Sequence, residues 1–383
     1  MAGGGAIGSA CAYFLKSNPD FRGTVLVAEP DPSYREAAST RSASSIRLQF
    51  STPVNIELSA FGMQFLREAR QRLGQAHLDL SLVESSYLYL ATAPGRAALE
   101  QRSAIQRARS VAVTLHERAA LARRYPWLNT ADLAAGCDTA HGEGWFDGHS
   151  LLAALRAASE RLGVRYVRDR VLAFERAPGG RIAGALLERL GRTVCGHALD
   201  AAGTRSRALA ATAGIELPVF ARKRNVFVFT CAVPIARCPL VIDPSGLWFR
   251  PEGDRFLCGP PQRPDPNVAP DDFEPDLAAF ETRAWPILAH RVPAFEAIRM
   301  SSAWAGHYDY NDFDQNAFIG PVPGIDNLLL ACGFSGHGIQ HSPAIGRGLA
   351  EYVCYGQYRT IDLQPLGYAR FLANAPLREL NVI

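Results

Sequence analysis

The first residues whose spacing suggests a chemical role are three glycines, Gly3, Gly5 and Gly8, in the pattern G-x-G-x-x-G. Glycines at this spacing let the backbone turn sharply and approach a pyrophosphate at the N-terminus of a helix. Residues 9–16 continue with small and apolar side chains at helical spacing, which predicts the first helix. The pattern therefore indicates a dinucleotide ligand.

A carboxylate follows these glycines at the distance expected for a residue that binds ribose. Residues 23–28 are an apolar run typical of a buried parallel strand, and the run ends in Glu29. A carboxylate at this place accepts hydrogen bonds from ribose hydroxyls and repels a 2′-phosphate. Glu29 therefore favours FAD or NAD over NADP.

The strand that normally precedes such a glycine turn has almost no residues here, because only Met1 and Ala2 come before Gly3. We therefore expect a sheet without its central strand, in which the neighbouring strands leave backbone groups unpaired. This interpretation treats the chain as truncated, and it predicts weakened cofactor binding.

The composition excludes several classes of protein. The chain has 383 residues, 48% of them apolar, and a formal net charge of +3. Its basic residues are scattered over helical stretches, so nucleic acid is not an expected partner. No apolar run reaches the roughly 20 residues of a membrane span, and no signal peptide is recognisable. We expect two domains and a cytoplasmic location.

Cysteine and histidine spacing gives no indication of a metal site. The eight cysteines include no C-x-x-C pair and lie mostly in apolar stretches, so we expect reduced thiols. The nine histidines show no spacing typical of metal ligands. We expect no bound metal.

The elements that must position these residues form two interleaved domains. Alternating apolar strands and helices predict a nucleotide-binding domain, and the helix at 150–162 with the strands after it should extend its sheet. Antiparallel strand patterns predict the second domain. We assign residues 1–73, 140–217 and 304–383 to the nucleotide-binding domain, and 74–139 and 218–303 to the substrate domain.

Two further glycine-containing segments follow apolar strands. The first is Ala201-Ala202-Gly203, and the second is the hexapeptide 333–338, Gly-Phe-Ser-Gly-His-Gly, before a helix predicted over 343–355. Glycines at such strand ends allow the backbone to approach a ligand closely. A Pro-rich loop at 260–270 precedes what we expect to be one long helix.

These three motifs, in this order and spacing, resemble those of the D-amino acid oxidase superfamily of FAD enzymes. The resemblance covers essentially the whole chain except the first strand. It is greatest for the sarcosine oxidase and dimethylglycine dehydrogenase branch, and it includes a mitochondrial family of FAD-dependent oxidoreductase domain proteins. It implies a Rossmann-like FAD-binding α/β domain beside a mostly antiparallel α+β substrate domain, with the flavin at their junction.

The resemblance also implies contacts to FAD at particular positions. The first glycines would hold the pyrophosphate, Glu29 the ribose, and Val171 the adenine through its backbone. The serine-rich segment would lie at the flavin, and the last motif at its pyrimidine edge. The full implied set is Gly3, Gly5, Ala6, Ile7, Gly8, Glu29, Ser42, Ala43, Ser44, Ser45, Val171, Ala202, Gly203, Gly333, Gly336, His337, Gly338 and Ile339.

The resemblance also points to four residues on the substrate side of the site. Arg47 matches a position that pairs with the substrate carboxylate, for which a guanidinium is well shaped. His307, Tyr308 and Gln340 are candidates to line the face opposite the flavin, where His307 or Tyr308 would favour the deprotonated amine or fix its pose. The alternatives are a surface salt bridge for Arg47 and a buried structural role for the histidine and tyrosine.

Three positions depart from the pattern of the family. Gly306 stands where covalent members carry the cysteine that bonds the flavin, so we expect noncovalent FAD. Leu257 stands near the position of a lysine that assists the reaction with oxygen, which favours a dehydrogenase passing electrons to a carrier. Gln340 replaces a second lysine that pairs with the carboxylate, which leaves the substrate open.

The resulting hypothesis is an FAD-dependent dehydrogenase or oxidase of a secondary amine or N-substituted amino acid, resembling sarcosine, that yields an imine. A D-amino acid or glycine oxidase is one alternative. Another is a flavoprotein scaffold or assembly factor without turnover. Expected partners are a small-molecule substrate and an electron carrier or flavoprotein subunit.

Overall fold

The structure is a computed structural model that describes residues 1–380. Helices occur throughout the chain. They are α1 (Ala6–Ser17), α2 (Ala38–Arg41), α3 (Pro53–Arg72), α4 (Arg96–Ala108), α5 (Arg118–Arg124), α6 (Gly148–Arg161), α7 (Ser206–Ala211), α8 (Trp285–Arg291), α9 (Gly338–Tyr355) and α10 (Ala369–Leu372).

The strands alternate with these helices in the first half of the chain and follow one another in much of the second half. They are β1 (Leu26–Glu29), β2 (Ser45–Ile46), β3 (Val83–Ser85), β4 (Tyr87–Ala91), β5 (Val113–Glu117), β6 (Ala135–Thr139), β7 (Glu143–Trp145), β8 (Arg165–Arg168), β9 (Val171–Arg176), β10 (Ile182–Leu187), β11 (Gly191–Val194), β12 (Ala198–Asp200), β13 (Val219–Thr230), β14 (Leu240–Ile242), β15 (Trp248–Glu252), β16 (Arg255–Gly259), β17 (Arg299–Asn311), β18 (Phe318–Val322) and β19 (Ile325–Cys332).

The first sheet is the predicted nucleotide-binding sheet, and Met1 and Ala2 lie at its centre. Ala2 pairs in parallel with Ala28 in β1 and with Asp200 in β12. Its N–H donates to the carbonyl of Leu199 at 2.8 Å, and the N–H of Ala28 donates to the carbonyl of Met1 at 3.0 Å. The expectation that these neighbours are left unpaired is wrong here, because two residues are enough to join β1 to β12.

The strands after α6 divide between two sheets. β8 pairs in parallel with β1 and extends the nucleotide-binding sheet, as predicted. β9 instead forms a separate antiparallel sheet with β10 and β11, so the prediction that it extends the first sheet is wrong. The turn at Asp169 explains the difference, because its carboxylate accepts the N–H groups of Arg170, Arg189 and Leu190 at 2.8–3.0 Å.

The second domain contains an eight-stranded sheet, called here the large sheet, in the order β17, β13, β16, β15, β14, β4, β6, β5. Neighbours in it are antiparallel except for β14 and β4, which confirms the predicted mostly antiparallel architecture. The predicted boundary at residue 303 lies inside β17, so it divides one strand. The other boundaries lie between elements, and residues 381–383 of the last segment lie outside the described residues.

Proline affects two of the predicted helices. The long helix expected after the Pro-rich loop is present at residues 278–291, where a π-helical segment, Phe280–Ala284, leads without a break into α8, which ends just before Pro293. α9 begins at Gly338, five residues before Pro343. Proline cannot donate to the carbonyl of Ile339, but the Ser342 hydroxyl donates to it at 2.9 Å, so the helix continues through the proline.

Helices α1 and α9 pack directly against each other on the nucleotide-binding sheet. A Cβ at Gly346 would lie 2.6 Å from the carbonyl carbon of Ala10, so the two backbones approach closely at this glycine. This contact brings the first turns of both helices to one side of the sheet. Across residues 1–380, no helix is both long enough and apolar enough to span a bilayer.

Candidate functional site

A cavity of about 710 Å³ is bordered by residues of both the nucleotide-binding sheet and the large sheet. This volume is within the usual range for ligand pockets, about 300–1,000 Å³. All but two of the predicted site residues line it. Those that do are Gly3, Gly5, Ala6, Ile7, Glu29, Ser42, Ala43, Ser44, Ser45, Arg47, Val171, Ala202, Gly203, His307, Tyr308, Gly336, His337, Gly338, Ile339 and Gln340.

The three glycines of the first motif have different structural roles. Gly3 has a φ of +98°, and a Cβ there would lie 2.3 Å from the Ala201 carbonyl oxygen. A Cβ at Gly8 would lie 2.0 Å from the Gly3 carbonyl oxygen. Gly8 does not line the cavity, because its role is to let α1 pack against the turn.

Gly5 is the N-cap residue of α1 and has no side chain of its own, while the Ser39 hydroxyl accepts the N–H of Ala6 at 3.1 Å. A Cβ at this position would meet only the Ser39 hydroxyl, at 3.5 Å. The cavity therefore reaches the first turn of α1, where backbone N–H groups and the helix dipole favour an anion. This arrangement fits a pyrophosphate.

Glu29 ends β1 with its carboxylate at the cavity. Its Oε2 accepts the N–H of Gly4 at 2.9 Å, and its Oε1 accepts the N–H of Asp31 at 3.0 Å. Burial raises the pKa of Glu29, and these backbone bonds oppose that effect. Each oxygen has a further lone pair that can accept a ribose hydroxyl.

Gly306 lines the cavity and stands where covalent members of the family carry the cysteine that bonds the flavin. A Cβ there would lie 3.0 Å from the Cβ of Arg41, so the two chains are in close contact. Within residues 1–380, the lining of the cavity includes no cysteine. The same part of the chain contains no group of three or more potential metal ligands.

Arg47 is buried at the cavity and directly follows β2, in the segment that leads to α3. Its Nη1 donates to the Tyr89 hydroxyl at 2.8 Å, its Nη2 lies 3.0 Å from Nε2 of His337, and its guanidinium stacks over Phe50. Its Nε has no partner, and among the described residues no carboxylate lies within salt-bridge distance. The alternative of a surface salt bridge is therefore wrong.

The charge of Arg47 persists despite burial. Burial opposes the charged form, but the nearby Tyr89 and Tyr87, and the carboxylates of Glu379 and Glu143, outweigh this effect and raise the pKa of Arg47. A buried cation without a directly bound carboxylate is costly unless a ligand compensates it. The site is therefore suited to an anionic group.

Two buried carboxylates hold the backbone on the C-terminal side of Arg47. Glu143 accepts the N–H of Leu48 at 2.7 Å and the N–H of Tyr87 at 2.9 Å. Glu379 accepts the N–H of Ser51 at 2.7 Å, across a separation of 328 residues. Sequence reasoning missed both acids, because no local pattern connects residues so far apart.

Gln340 also acts on Arg47 through the backbone. Its Oε1 accepts the N–H of Arg47 at 2.9 Å, which joins the first turn of α9 to β2. The amide therefore positions the arginine, in addition to lining the cavity.

His307 and Tyr308 are adjacent in β17, and both line the cavity. Nε2 of His307 lies 2.7 Å from the Asp272 carbonyl oxygen and must donate to it, so Nδ1 carries the lone pair. This Nδ1 has no partner in the described part of the chain. Burial lowers the pKa of His307, which keeps the ring neutral. Tyr308 packs on Gly336, where a Cβ would lie 2.5 Å from its ring.

Two other predicted positions lie away from the cavity. Gly333 has a φ of +75° and donates its N–H to Oδ2 of Asp309 at 2.7 Å. It therefore supports the turn before α9 and does not line the cavity. Leu257, the position compared with an oxygen-assisting lysine, is buried in β16 and packs with Val226 and Val228.

Apart from His307 and Tyr308 in β17, sequence reasoning missed the side chains that the large sheet contributes to the cavity. The cavity is also lined by Tyr87, Val226, Leu240, Ile242 and Trp248. The alternation of tyrosine and leucine at 87–90 could have placed Tyr87 and Tyr89 on one face of a strand. The others had no such signal, because the order of strands in a sheet is not visible in the sequence.

Comparison with known proteins agrees with this geometry. The model of the family described as FAD dependent oxidoreductase matches residues 2–352. The chain is 37% identical to FAD-dependent oxidoreductase domain-containing protein 1 of Xenopus laevis, over 100% of this chain and 84% of the relative.

Two solved structures share the fold. L-proline dehydrogenase from P. horikoshii has a TM-score of 0.85 at 20% identity, covering 98% of this chain and 97% of that one. Glycine oxidase from Geobacillus kaustophilus has a TM-score of 0.80 at 22% identity, covering 95% and 96%. At these identities the two structures establish the fold alone. The family match and the identity to the Xenopus protein go further, and the chain belongs to the family of FAD-dependent oxidoreductases.

Proposed function

We propose that this protein oxidises the CH–NH bond of a secondary amine or N-substituted amino acid to an imine, using noncovalently bound FAD. The observation that carries the proposal is Arg47, a buried guanidinium at the cavity to which no carboxylate of residues 1–380 is bound. Such a group suits the carboxylate of an amino-acid substrate. The proline and glycine named for the two structural relatives are amino acids, which supports the same substrate class.

The residues present fit FAD. Glu29 would hold the ribose, the first turn of α1 the pyrophosphate, and the first turn of α9 the pyrimidine edge of the flavin. When bound, FAD would supply the acceptor for the hydride. Attachment through a cysteine is disfavoured by Gly306 and by the cysteine-free lining of the cavity in residues 1–380.

The chain's own residues would orient the substrate and control its protonation. Arg47 would bind the carboxylate and so fix the position of the neighbouring carbon. The neutral amine is the form that can lose a hydride. His307 is neutral, and its Nδ1 is buried without a partner among residues 1–380. It would accept a hydrogen bond from the amine or take a proton from its ammonium form.

The lysines support electron transfer to a carrier rather than to oxygen. The chain's lysines are Lys16 and Lys223. Nζ of Lys223 is bound by the Asp272 carboxylate at 2.8 and 2.9 Å, and Nζ of Lys16 donates to the carbonyl of Gly23 at 3.3 Å. In the described residues, no lysine lines the cavity. The proposal therefore includes an electron carrier or a flavoprotein subunit as the electron acceptor. It also includes a cytoplasmic location.

The proposal is tested with the purified protein and its flavin. Acid precipitation should release the flavin absorbance into the supernatant if FAD is noncovalent. N-methyl amino acids, D-amino acids and glycine are then added without oxygen, and the flavin absorbance is followed. Bleaching by an N-methyl amino acid supports the proposal, and bleaching only by D-amino acids or glycine supports that alternative. A flavin that stays oxidised with every amine favours a scaffold.

A further inference from the structure

Apolar side chains of four strands form one continuous surface of the cavity, called here the apolar floor (Tyr87, Val226, Leu240, Ile242 and Trp248). Leu240 pairs with Tyr87 across β14 and β4, and Ile242 pairs with Trp248 across β14 and β15. Directly paired residues project from the same face of a sheet. The floor therefore follows from strand register. Its residues come from four strands, but it spans five neighbouring strands, because β16 lies between β15 and β13 and contributes none of them.

The width of the floor depends on Trp248 and Gly259, which pair across β15 and β16. A Cβ at Gly259 would lie 2.2 Å from Nε1 of the Trp248 indole. Because glycine has no side chain, the indole occupies this space and covers β16. Trp248 also packs against the cluster formed by Val226, Val228 and Leu257, so the apolar surface continues toward β13 across the missing side chain.

Arg47 lies at one edge of this floor. It donates to the hydroxyl of Tyr89, whose ring stacks on that of Tyr87 with centroids 6.2 Å apart. Strands are spaced by about 4.8 Å, so the floor extends roughly 19 Å from β4 to β13. A cation at one end of a long apolar surface is complementary to a molecule with a carboxylate and a bulky apolar group.

We infer that the substrate is an N-substituted amino acid with a large apolar or aromatic side chain. This inference rests on the proposed function. Arg47 binds the carboxylate, and the side chain lies on the apolar floor, where contact removes apolar surface from water. A substrate as small as N-methylglycine leaves Trp248, the only partly buried residue of the five in the floor, without an apolar contact from the ligand.

The inference is tested first by reduction of the flavin without oxygen. The substrates are N-methylglycine, N-methylalanine, N-methylleucine and N-methylphenylalanine, compared by the ratio of the reduction rate constant to the dissociation constant. We expect the ratio to rise at least 10-fold from N-methylglycine to N-methylphenylalanine. Equal or better reduction by N-methylglycine would overturn the inference and leave the proposed function intact.

A binding measurement decides the inference even if no amine reduces the flavin, a result that would count against the proposed function alone. Acetate and phenylacetate are titrated against the oxidised holoprotein, and the flavin absorbance reports binding. We expect phenylacetate to bind at least 10-fold more tightly than acetate. Equal affinities would contradict the apolar floor as a binding surface.

Variants separate the floor from a general effect on stability. Trp248→Ala should reduce the preference for phenylacetate over acetate to about 3-fold or less. Gly259→Ala should act in the same direction, because the new Cβ displaces the indole. Trp285→Ala on α8, an exposed tryptophan outside the cavity lining, is the matched control and should keep the preference. A preference that survives both floor variants would refute the inference.

Discussion

Arg47 and His337 lie 3.0 Å apart, Nη2 to Nε2, and this contact determines which nitrogen of the imidazole carries the proton. A guanidinium can only donate, so Nε2 must accept and the proton resides on Nδ1. Burial, and then the charge of Arg47, hold the pKa of His337 well below its usual value. The ring is therefore a neutral donor at the start of α9, beside the cation proposed to bind the substrate.

The first prediction concerns Arg47→Lys. An ammonium cannot bind Tyr89, His337 and a carboxylate at once with the geometry of a guanidinium, so the affinity for phenylacetate should fall about 10–100-fold. The FAD content should stay the same. Titration of the holoprotein, followed by flavin absorbance, measures the change.

Arg102→Met is the control for the loss of a buried cation. Arg102 is also buried and lies 5.2 Å from the ring of Tyr89, but it does not line the cavity. It should change phenylacetate binding by less than about 3-fold, on the order of 0.6 kcal/mol. Equal losses in the two variants would mean that Arg47 acts only through its charge at a distance.

The second prediction concerns Gly5→Ala, which should separate folding from cofactor binding. The φ of Gly5 is −61°, which alanine adopts readily, and a Cβ meets only Ser39 at 3.5 Å. Thermal stability without FAD should change little. The new methyl group enters the space proposed for the pyrophosphate, so the dissociation constant for FAD should rise about 10-fold or more.

Fluorescence titration of the apoprotein with FAD measures this constant. Gly179→Ala is the control, because a Cβ there meets nothing within 4 Å and the residue lies in the hairpin between β9 and β10. Unchanged FAD affinity in Gly5→Ala would show that the pyrophosphate lies elsewhere.

The third prediction concerns Glu143→Gln. The fully buried carboxylate accepts N–H groups of Leu48, Gln49 and Tyr87 and the hydroxyl of Thr139. Glutamine replaces one carboxylate oxygen, an acceptor, by an NH₂ group. This group is a donor, and it would face the N–H and hydroxyl donors that now bind the carboxylate. The free energy of unfolding should therefore fall by about 3 kcal/mol, and the affinity for phenylacetate should fall with it, because Arg47 loses its support.

Urea unfolding and the same titration measure both effects. Glu84→Gln is the control, since Glu84 is exposed on the neighbouring β3 and pairs with Arg67. Its cost should stay below about 1 kcal/mol. A similar small cost for Glu143→Gln would argue against its role in holding this segment.

The fourth prediction concerns the pH dependence of stability. Asp200 is fully buried, and Oδ2 of its carboxylate has no partner in the part of the chain that the structure describes. Burial raises its pKa to about 7. The folded protein thus keeps a proton that the unfolded chain releases near pH 4. Stability from this group is present below pH 4 and is lost as the pH rises to 7.

Asp200→Asn removes this titration. The stability of the variant relative to the parent protein should therefore increase between pH 5 and pH 8, by roughly 2 kcal/mol. Urea unfolding at both pH values measures it. Asp254→Asn, at a side chain that is 93% exposed, should show a difference independent of pH. A relative stability of Asp200→Asn that does not change between pH 5 and pH 8 would mean that the Asp200 carboxylate is already ionised in the folded protein over this range.

Much of the cofactor side of the site was predictable because its residues are local in sequence. Gly3 and Gly5 lie in one turn and Glu29 ends the next strand, so their spacing reports a single βαβ unit. The serine segment and the motif before α9 were found through resemblance to the family. The same reasoning misplaced the start of α9 at Pro343, because it did not anticipate that Ser342 would satisfy the carbonyl of Ile339.

The sequence by itself determined the glycine turn, the carboxylate at Glu29, the family and the presence of Arg47. Only the tertiary structure decided what surrounds Arg47. Its partners Tyr89 and His337 lie 42 and 290 residues away, and Glu379 fixes the adjoining Ser51 from the other end of the chain. The physical reason is that hydrogen bonds and apolar contacts depend on distance in space. Strand register and helix packing set these distances, and neither is written in any local pattern.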